Sequence, residues 1–365
     1  MAWGDGINHQ LNQHKNNMSK TKEHTDKIKL GIVGLGRAGW TLHLEPALAH
    51  GGYDIAAVAD PLEERRKEAA DKAGSKGFTS LQEMIEGMPD LDLIVIATPS
   101  LFHYDDIKKV LEAGKHCIAE KPISMNYQQA VELQKLAESK GLKIFINHAQ
   151  LHMAEYPHLQ SIIDSGVLGP IFNISTYWAR FKRRWDWQTL RKNGGGELYN
   201  TGAHTLSVLL PLLGNPVKTV YSRMKVAHGI GDAEDHVEMS METENNITAN
   251  VLLSTAVHST FPKWVICGKY GTATCDGTTT SIKYVPEDKM PDLSVLDSAA
   301  PERAYQWESL PWVEEERKVE PADTPNLQSN VYDVLTNGVS PVVTIESAVD
   351  VVRVTDLAYQ SAGRE

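Results

Sequence analysis

Cysteine is scarce in this sequence, with three residues among 365, and no two of them form a C-x-x-C pair. Cys117, Cys267 and Cys275 therefore indicate neither a disulfide framework nor a zinc knuckle, and we interpret them as reduced residues of a cytoplasmic protein. Long apolar runs are also missing, because no stretch reaches the roughly 18 residues that a membrane-spanning helix needs. These shortages argue against a disulfide-stapled secreted protein and against a membrane protein.

Positive charge is in deficit as well. Lys and Arg number 36 against 47 Asp and Glu, which gives a net charge of −11. A chain with this balance is a poor candidate for binding nucleic acid or an anionic membrane as its main task. The remaining composition, with 41% apolar and 23% charged residues, is typical of a soluble globular enzyme, and the length predicts two domains.

The N-terminal segment, residues 1–26, is polar and lacks the apolar core of a signal peptide. We expect it to be a flexible tail. Met18 is an alternative start, so whether residues 1–17 are native stays open. The first folded domain is therefore predicted to begin at residue 27.

Residues 27–148 alternate between strand-like and helix-like patterns. Continuous apolar runs predict buried strands, and helical spacing lies between them, as at Ile107, Val110 and Leu111. Ser80 and Asn126 each precede a Glu or Gln by three residues, as helix N-caps do. This alternation predicts βαβ units and a parallel sheet. The predicted strands are Lys29–Val33, Tyr53–Ala59, Leu91–Ala97, Cys117–Ala119 and Lys143–Asn147.

Residues 149–365 have a different pattern. One or two helices are predicted over 154–165, and the runs that follow alternate apolar and polar residues, as in an antiparallel sheet with one open face. Residues 286–324 are rich in Pro, Glu and Asp and predict a long loop, before a last helix over Glu346–Ser361. The fold class is therefore α/β, with a second, α+β domain whose sheet is mostly antiparallel. Its predicted strands are Ile171–Phe181, Val217–Val226, His236–Glu242, Ile247–Val257 and Trp264–Cys267.

A G-x-G-x-x-G motif occupies residues 34–39, between the first predicted strand and a helix. Gly34 permits a tight turn, Gly36 lets the backbone approach a diphosphate, and Gly39 allows close helix–strand packing. The diphosphate then lies at the N–H groups of the helix N-terminus. The motif predicts a dinucleotide-binding Rossmann domain, with a flavin or another nucleotide as the alternative to nicotinamide. The residues that we assign to the cofactor here are Gly34, Leu35, Gly36, Arg37 and Ala38.

The second predicted strand is followed by Asp60. A carboxylate at this place hydrogen-bonds the 2′-hydroxyl of the adenosine ribose and repels a 2′-phosphate. Pro61 comes next, rather than an Arg or Ser, and we interpret Arg65 and Arg66 as part of a solvated helix face. The predicted cofactor is therefore NAD rather than NADP.

Polar motifs follow the later strands of this domain. Thr98 and Pro99 end one strand, with His103 just beyond, and Glu120-Lys121-Pro122 follows the next. Ligands bind at the carboxyl ends of parallel strands, so we assign Thr98, Pro99, His103, Glu120 and Lys121 to the cofactor site as well. A lysine at this place is expected to be partly desolvated next to the nicotinamide.

In this order the motifs resemble the Gfo/Idh/MocA family, named for glucose–fructose oxidoreductase, inositol dehydrogenase and a rhizopine-catabolism protein. The resemblance implies a Rossmann domain followed by an α/β domain with a large open sheet, whose open face commonly forms dimers and tetramers. We therefore expect a homo-oligomer, an NAD-binding domain at 27–148 and a substrate-binding and oligomerisation domain at 149–365. The resemblance extends through Gly166-Val-Leu-Gly169, through Gly194 to His204, and through the closing segment from Ile345 to Ala362.

Family members that oxidise a sugar typically combine the lysine of Glu-Lys-Pro with a D-x-G-x-H pattern. The lysine carries over to Lys121 and the histidine to His204, but Asn200 takes the aspartate position. By this resemblance His204 takes the hydroxyl proton and Lys121 hydrogen-bonds the substrate oxygen. Asn200 can orient the imidazole but brings no charge, so either the dyad is weakened or another acid, Glu197 or Asp186, serves. The alternatives are packing for His204 and a turn for Asn200.

Residues 180–187 mix basic and aromatic side chains. In an acidic, nucleotide-binding chain this mixture favours a sugar site over a nucleic-acid stacking patch, and a solvated loop with buried Trp anchors is the alternative. His148 and His152 have i, i+4 spacing, but no third ligand accompanies them, and we predict no metal. The predicted substrate-binding residues are His152, Tyr156, Arg180, Trp185, Trp187 and Asn200.

The sequence thus predicts an NAD-dependent oxidoreductase that moves a hydride between NAD and a secondary hydroxyl of a sugar, glycoside or polyol. A glycoside 3-dehydrogenase is an attractive subtype, because the aromatic and basic stretch can grip an aglycone. The alternatives are a non-catalytic NAD- and sugar-binding regulatory protein, a kind that the family includes, and a ketose or imine reductase.

Overall fold

The computed structural model describes residues 27–258, 261–298, 303 and 305–364. The tail expected at residues 1–26 lies outside the described residues. Within the part of the chain that is described, no helix is long and apolar enough to cross a bilayer.

The first sheet consists of six parallel strands, β1 (Ile28–Val33), β2 (Tyr53–Ala59), β3 (Lys76–Phe78), β4 (Leu93–Ile96), β5 (His116–Ala119) and β6 (Ile144–Ile146). Their order is β3-β2-β1-β4-β5-β6, so the chain reverses direction across the sheet between β1 and β4, where ligands bind in sheets of this kind. All four residues of β4 are buried, because helices cover both faces. The short strand β3 is additional to the five predicted ones.

Five helices surround this sheet, α1 (Glu45–His50), α2 (Glu63–Ala73), α3 (Leu81–Gly87), α4 (His103–Glu112) and α5 (Tyr127–Lys140). The predicted caps are confirmed. Ser80 accepts the N–H of Glu83 at the start of α3, and Asn126 accepts the N–H of Gln129 at the start of α5. A π-helical turn, Gly39–Leu44, precedes α1 directly after the glycine motif.

The second sheet consists of eight strands, β7 (Ile171–Ala179), β8 (Val217–Lys225), β9 (His236–Thr243), β10 (Thr248–Ser254), β11 (Trp264–Gly268), β12 (Gly271–Cys275), β13 (Thr279–Tyr284) and β14 (Val313–Lys318). Their order is β14-β13-β12-β11-β7-β10-β9-β8. Strands β7 and β10 pair in parallel, and the other described pairs are antiparallel. The predicted fold class is therefore confirmed.

One face of the second sheet is packed and the other is open. Along β9, Val237, Met239 and Met241 are buried, whereas Glu238 and Ser240 between them are exposed. The packed face meets helices α7 and α9. The remaining helices are α6 (Glu155–Asp164), α7 (Ala203–Leu213), α8 (Leu327–Asn337) and α9 (Ile345–Ser361).

The prediction of a loop over residues 286–324 is wrong in part. Val313–Lys318 form β14, the edge strand of the second sheet, and pair with β13 over six residues. The sequence of β14 is mostly charged and has no alternation of apolar and polar residues by which a strand could be predicted. An edge strand can have such a sequence because it buries few side chains. Phe181, predicted as the end of a strand, forms only an isolated bridge with Ala256.

Helix α8 returns from the end of the chain to the first sheet. Leu327, Val331 and Val334 join the hydrophobic core that lies against β1 and β2. Hydrogen bonds reinforce the contact, because Gln328 accepts from Tyr53 Oη through its backbone oxygen at 2.6 Å. The core of the first sheet therefore draws on residues beyond the domain boundary at 148, which stays a prediction.

Candidate active site

A cleft of about 1180 Å³ lies where the carboxyl ends of the first sheet meet the second domain. It joins the glycine turn, the polar motifs after β4 and β5, and residues 182–188, which we call the strap. The predicted site residues that line this cleft are Gly34, Gly36, Arg37, Ala38, Asp60, Thr98, Pro99, His103, Glu120, Lys121, Trp185, Trp187 and Asn200. The structure does not bring Leu35, His152, Tyr156, Arg180 and His204 into the described lining.

The three glycines of the motif are needed for different reasons. Gly34 has a φ of +86°, and a Cβ added there would lie 2.5 Å from the oxygen of Ala97. A Cβ on Gly39 would lie 1.8 Å from the oxygen of Gly34, so that position is closed by packing. A Cβ on Gly36 would meet only Arg65 Nη1, at 4.0 Å. Packing does not explain Gly36, and the open space above it fits a dinucleotide diphosphate.

Asp60 fixes the glycine turn to the end of β2. Its side chain is 4% exposed, and Oδ2 accepts the Leu35 N–H at 2.8 Å while Oδ1 accepts the Leu62 N–H at 2.9 Å. Arg65 Nη1 lies 3.4 Å from Oδ2. The carboxylate is held at the cleft wall, where the adenosine ribose of a bound dinucleotide is expected.

His103 ties the ends of β4 and β5 together. Its Nε2 lies 2.8 Å from the oxygen of Thr98 and its Nδ1 lies 2.6 Å from the oxygen of Pro122. Thr98 Oγ1 donates in turn to Asp106 Oδ2 at 2.9 Å. Asp106 also lines the cleft, and burial raises the pKa of its carboxyl group. The sequence does not indicate that Asp106 lines the cleft, because an acidic residue in the first turn of a helix is already explained by the helix dipole.

Glu120 is held by two partners that the sequence does not reveal. Its Oε1 lies 2.9 Å from His43 Nε2 and accepts the side-chain N–H of Asn147 at 2.7 Å. Burial alone would raise the pKa of Glu120, but the hydrogen bond and charge of His43, the bond from Asn147 and the charge of Lys121 lower it to about 2. The only signal for His43 and Asn147 is their polarity inside otherwise apolar segments.

Lys121 stands at the wall of the cleft, where its Nζ donates to two oxygens of one residue. The backbone oxygen of Asn200 lies at 2.9 Å and its Oδ1 at 3.3 Å. Burial lowers the pKa of Lys121 to about 8, although the charges of Glu120 and Glu197 oppose the shift. An amine with this pKa exchanges protons readily near neutral pH.

His204 lies in the first turn of α7 and is partly exposed, outside the described lining of the cleft. Burial and the charge of Lys121 lower its pKa to about 4, so the ring is neutral near pH 7. Its Nδ1 is buried and has no hydrogen-bond partner among the described residues. Asn200 bonds Lys121, and no described hydrogen bond joins it to His204. His148 is its buried neighbour, with a pKa that burial and the charges of His204 and Lys121 lower to about 3.

Two π-helical turns, one from each side of the cleft, hold the Glu120-Lys121 pair. Gly39–Leu44 carries His43, which bonds Glu120, and Leu198–Gly202 carries Asn200, which bonds Lys121. A π turn widens a helix by one residue and is frequent at functional sites.

A buried acid supports the second π turn from behind. Glu234 is 2% exposed, and its Oε1 accepts from Tyr359 Oη at 2.6 Å and from the Leu198 N–H at 3.3 Å. The backbone of Glu234 accepts the Glu197 N–H at 2.9 Å. A Cβ on Gly196 would lie 2.2 Å from Glu234 Oε1, so this glycine is fixed by the acid.

The other predicted acids and substrate residues have partners of their own. Arg180 Nη2 lies 3.5 Å from Glu197 Oε1, and Asp186 Oδ2 accepts from Arg184 at 2.6 Å. His152 Nδ1 lies 2.7 Å from the oxygen of Pro325. Tyr156 packs against the hydrophobic core. Trp185 and Trp187 lie in the strap, 83% and 42% exposed, and face the cleft.

Family models match both domains. Residues 28–148 match an oxidoreductase family with an NAD-binding Rossmann fold, and residues 156–274 match the Gfo/Idh/MocA C-terminal domain, together more than half of the chain. The chain belongs to the Gfo/Idh/MocA family. It is therefore an NAD-binding oxidoreductase of that family, and NAD is its cofactor.

Two relatives and one solved structure are distant in sequence but match over nearly the whole chain. The "Uncharacterized oxidoreductase YdgJ" of Escherichia coli K12 is 25% identical over 93% of this chain and 97% of its own. The "scyllo-inositol 2-dehydrogenase (NADP(+)) IolW" of Bacillus subtilis 168 is 21% identical over 94% and 96%. The WlbA dehydrogenase of Bordetella pertussis, solved with NADH and UDP-GlcNAcA, is 19% identical with a TM-score of 0.73 over 93% and 96%.

Proposed function

We propose that this oxidoreductase interconverts a secondary hydroxyl and a ketone on a sugar, glycoside or polyol ring. The observation that carries the proposal is Lys121, a buried amine with a pKa near 8 on the wall of the cleft that also contains the glycine turn. Reactions of this type need a group that exchanges the hydroxyl proton at the reacting carbon. The names of two relatives, one an inositol dehydrogenase and one solved with a nucleotide sugar, agree with such a substrate.

The residues that would hold the cofactor fit it. Gly36 leaves space for the diphosphate, and Asp60 stands where the ribose is expected. NAD, when bound, supplies the hydride acceptor or donor. Thr98, Pro99 and Glu120 line the cleft together with Lys121, and this shared wall supports the proposal that the nicotinamide would bind next to the amine.

Lys121 exchanges the proton. In the oxidation direction its neutral amine accepts the proton of the substrate hydroxyl, and in the reduction direction its ammonium donates that proton to the ketone oxygen. Asn200 aims the amine through two oxygens, and neither carries a full charge. The pKa of Lys121 therefore stays low enough for both forms to be populated near pH 8.

His204 acts as a positioning residue in this scheme, because it lies outside the described lining of the cleft and feels the charge of Lys121. As a neutral ring it does not compete with the amine for the proton near pH 8, since its pKa is about 4. The expectation that His204 is itself the base is the competing assignment. The pH profile separates the two, because a base with a pKa near 4 gives no rise in oxidation rate near pH 8.

The test is NADH formation, followed by absorbance, with purified protein, NAD⁺ and a panel of monosaccharides, inositols and aryl glycosides. We expect turnover with one class, loss of turnover in Lys121→Met, and a smaller loss in His204→Ala. Lys135→Ala, which removes an exposed lysine on α5, is the matched control and keeps full rate. Equal losses in Lys121→Met and His204→Ala, together with no rise of the wild-type oxidation rate near pH 8, would assign the base to His204.

The panel also decides between this function and the alternatives. A regulatory protein binds NAD and turns over none of the compounds in either direction. A ketose or imine reductase is active only with NADH and the corresponding ketone or imine. If free glucose is oxidised as fast as every glycoside, the glycoside 3-dehydrogenase subtype is excluded.

We also propose that the protein forms a homo-oligomer through the open face of the second sheet. Analytical sedimentation of the purified protein tests this proposal.

A further inference from the structure

The strap is a braced segment rather than a loose loop. The backbone N–H of Lys182 donates to the backbone oxygen of Thr255, the residue after β10, at 2.9 Å. Arg184 donates to Asp186 Oδ2 at 2.6 Å and also to Gln188 Oε1. Asp186 Oδ1 accepts the Gln188 N–H at 3.0 Å and closes a short turn. The bracing fixes the backbone of the strap, from which the exposed side chains of Lys182 and Arg183 extend.

Each acidic side chain in the described lining of the cleft already has a partner. No carboxylate of the lining is therefore left to pair with a further Lys or Arg of the cleft. The acids and their partners are Asp60 with the Leu35 N–H and Arg65, Asp106 with Thr98, Glu120 with His43 and Asn147, and Asp186 with Arg184.

Lys121 donates to the uncharged oxygens of Asn200, and three further cations of the lining have no carboxylate partner among the described residues, namely Arg37, Lys182 and Arg183. Arg37 belongs to the glycine turn, where the diphosphate of the cofactor accounts for its charge. Lys182 and Arg183 stand on the opposite wall, in the strap. Their charge is in surplus although the whole chain has a net charge of −11.

Acids that lie beneath the strap do not account for this surplus either. Glu197 faces Arg180 at 3.5 Å. Asp235 accepts three backbone N–H groups, the shortest at 2.6 Å, and Glu234 is held by Tyr359. The partners of these acids are therefore already in place without Lys182 or Arg183.

We infer that the substrate carries an anionic group, a carboxylate or a phosphate on the sugar, which Arg183 and Lys182 bind from the strap. This inference rests on the proposed function and names the class of its substrate. Cations concentrated in a cleft attract and orient an oxyanion, and Arg binds carboxylate and phosphate with paired N–H donors. Trp185 and Trp187 offer apolar ring faces beside them for the C–H face of the sugar.

The experiment compares matched pairs of compounds that differ in the anionic group, glucose with glucuronate and with glucose 6-phosphate, and methyl glucoside with methyl glucuronide. Binding is measured by titration calorimetry in the presence of NADH, so the readout does not depend on turnover. The proteins are the wild type, Lys182→Ala, Arg183→Ala and Lys135→Ala, the last as a cation lost outside the cleft.

We expect the wild type to bind the anionic member of a pair at least about tenfold more tightly, and each strap variant to lose about tenfold of that preference, as for a hydrogen bond to a charged group. Added salt weakens the anionic member more than the neutral one. Comparison of glucuronate with glucose 6-phosphate tells carboxylate from phosphate.

Equal binding of neutral and anionic members, or an unchanged preference in Arg183→Ala and Lys182→Ala, overturns the inference and leaves the proposed function intact. Binding of NADH without binding of any of these compounds, together with no turnover across the panel of monosaccharides, inositols and aryl glycosides, overturns the proposed function and the inference with it.

Discussion

Burial of the Lys121 amine destabilises the folded state, and we expect that replacing this amine with an uncharged group stabilises the fold. Burial lowers the pKa of Lys121 from 10.5 to about 8. A shift of that size corresponds to about 3 kcal/mol by which the folded state disfavours the charged amine. Met has a similar length and no charge, so Lys121→Met removes this cost.

The increase in the free energy of unfolding is smaller than this cost, because Lys121→Met also removes the hydrogen bonds to Asn200. Its two oxygens face the cleft, where water replaces the amine, and a hydrogen bond of this kind contributes about 1 kcal/mol net. We therefore expect Lys121→Met to raise the free energy of unfolding by about 1–2 kcal/mol near pH 7 while abolishing turnover.

The sign of the pH dependence follows from the same shift. Between pH 8 and 10.5 the unfolded chain holds a proton on Lys121 that the folded chain has released. Stability of the wild type therefore rises with pH across this window, relative to the variant. The advantage of Lys121→Met is full below pH 8 and shrinks as the pH approaches 10.5.

Urea unfolding at pH 7 and at pH 9.5 measures both quantities without cofactor or substrate. Lys182→Met, which changes an exposed lysine in the same cleft, is the matched control and is expected to leave stability within about 0.5 kcal/mol. A Lys121→Met protein that is less stable than the wild type, or equally more stable at both pH values, refutes the reasoning.

Further predictions concern the groups around the cleft. Asn200→Asp places a carboxylate at the 3.3 Å contact with Lys121, raises the pKa of the amine and moves the alkaline rise of the oxidation rate upward by roughly one pH unit or more, which a pH–rate profile detects. Gly36→Ala is expected to unfold like the wild type but to bind NAD at least about tenfold more weakly by calorimetry, because its Cβ occupies only ligand space. Gly39→Ala is expected to destabilise the fold by about 1–3 kcal/mol or more in a urea titration, since its Cβ meets backbone. Glu234→Ala leaves a buried hydroxyl and a buried N–H without an acceptor and is expected to cost about 2 kcal/mol or more, measured in the same way.

Much of the first domain can be predicted from the sequence because its signals are local. Buried parallel strands are short apolar runs, and the caps at Ser80 and Asn126 are read from residues three positions apart. The tight turn that the glycine motif predicts at Gly34 is also a local feature, and Gly34 is the one glycine of the three with a positive φ.

Elements whose stability comes from distant partners are harder to predict. Helix α7 is buried on nearly every side, so it has no polar face and no helical alternation to recognise. Strand β14 exists because β13 offers its backbone groups, and its own letters are mostly charged. Both depend on contacts that local composition does not contain.

The candidate site shows the same division. Lys121 and Asn200 are found from motifs, but the hydrogen bond between them joins residues 79 positions apart and runs partly to a backbone oxygen. His43 and Asn147 converge on Glu120 from two further elements. Such convergence is a property of the packed fold, and the sequence motif does not reveal that His204 lies outside the described lining of the cleft.

Helix α8 has a consequence for how the chain is made. The core under β1 and β2 is closed by Leu327, Val331 and Val334, which leave the ribosome only after both sheets have been synthesised. Until then the nascent cofactor domain exposes the apolar surface that α8 covers, and its core is completed only by residues that are synthesised after both sheets. A nonsense mutation anywhere before residue 327 therefore damages the first domain as well as the second, although its own strands and glycine turn are intact.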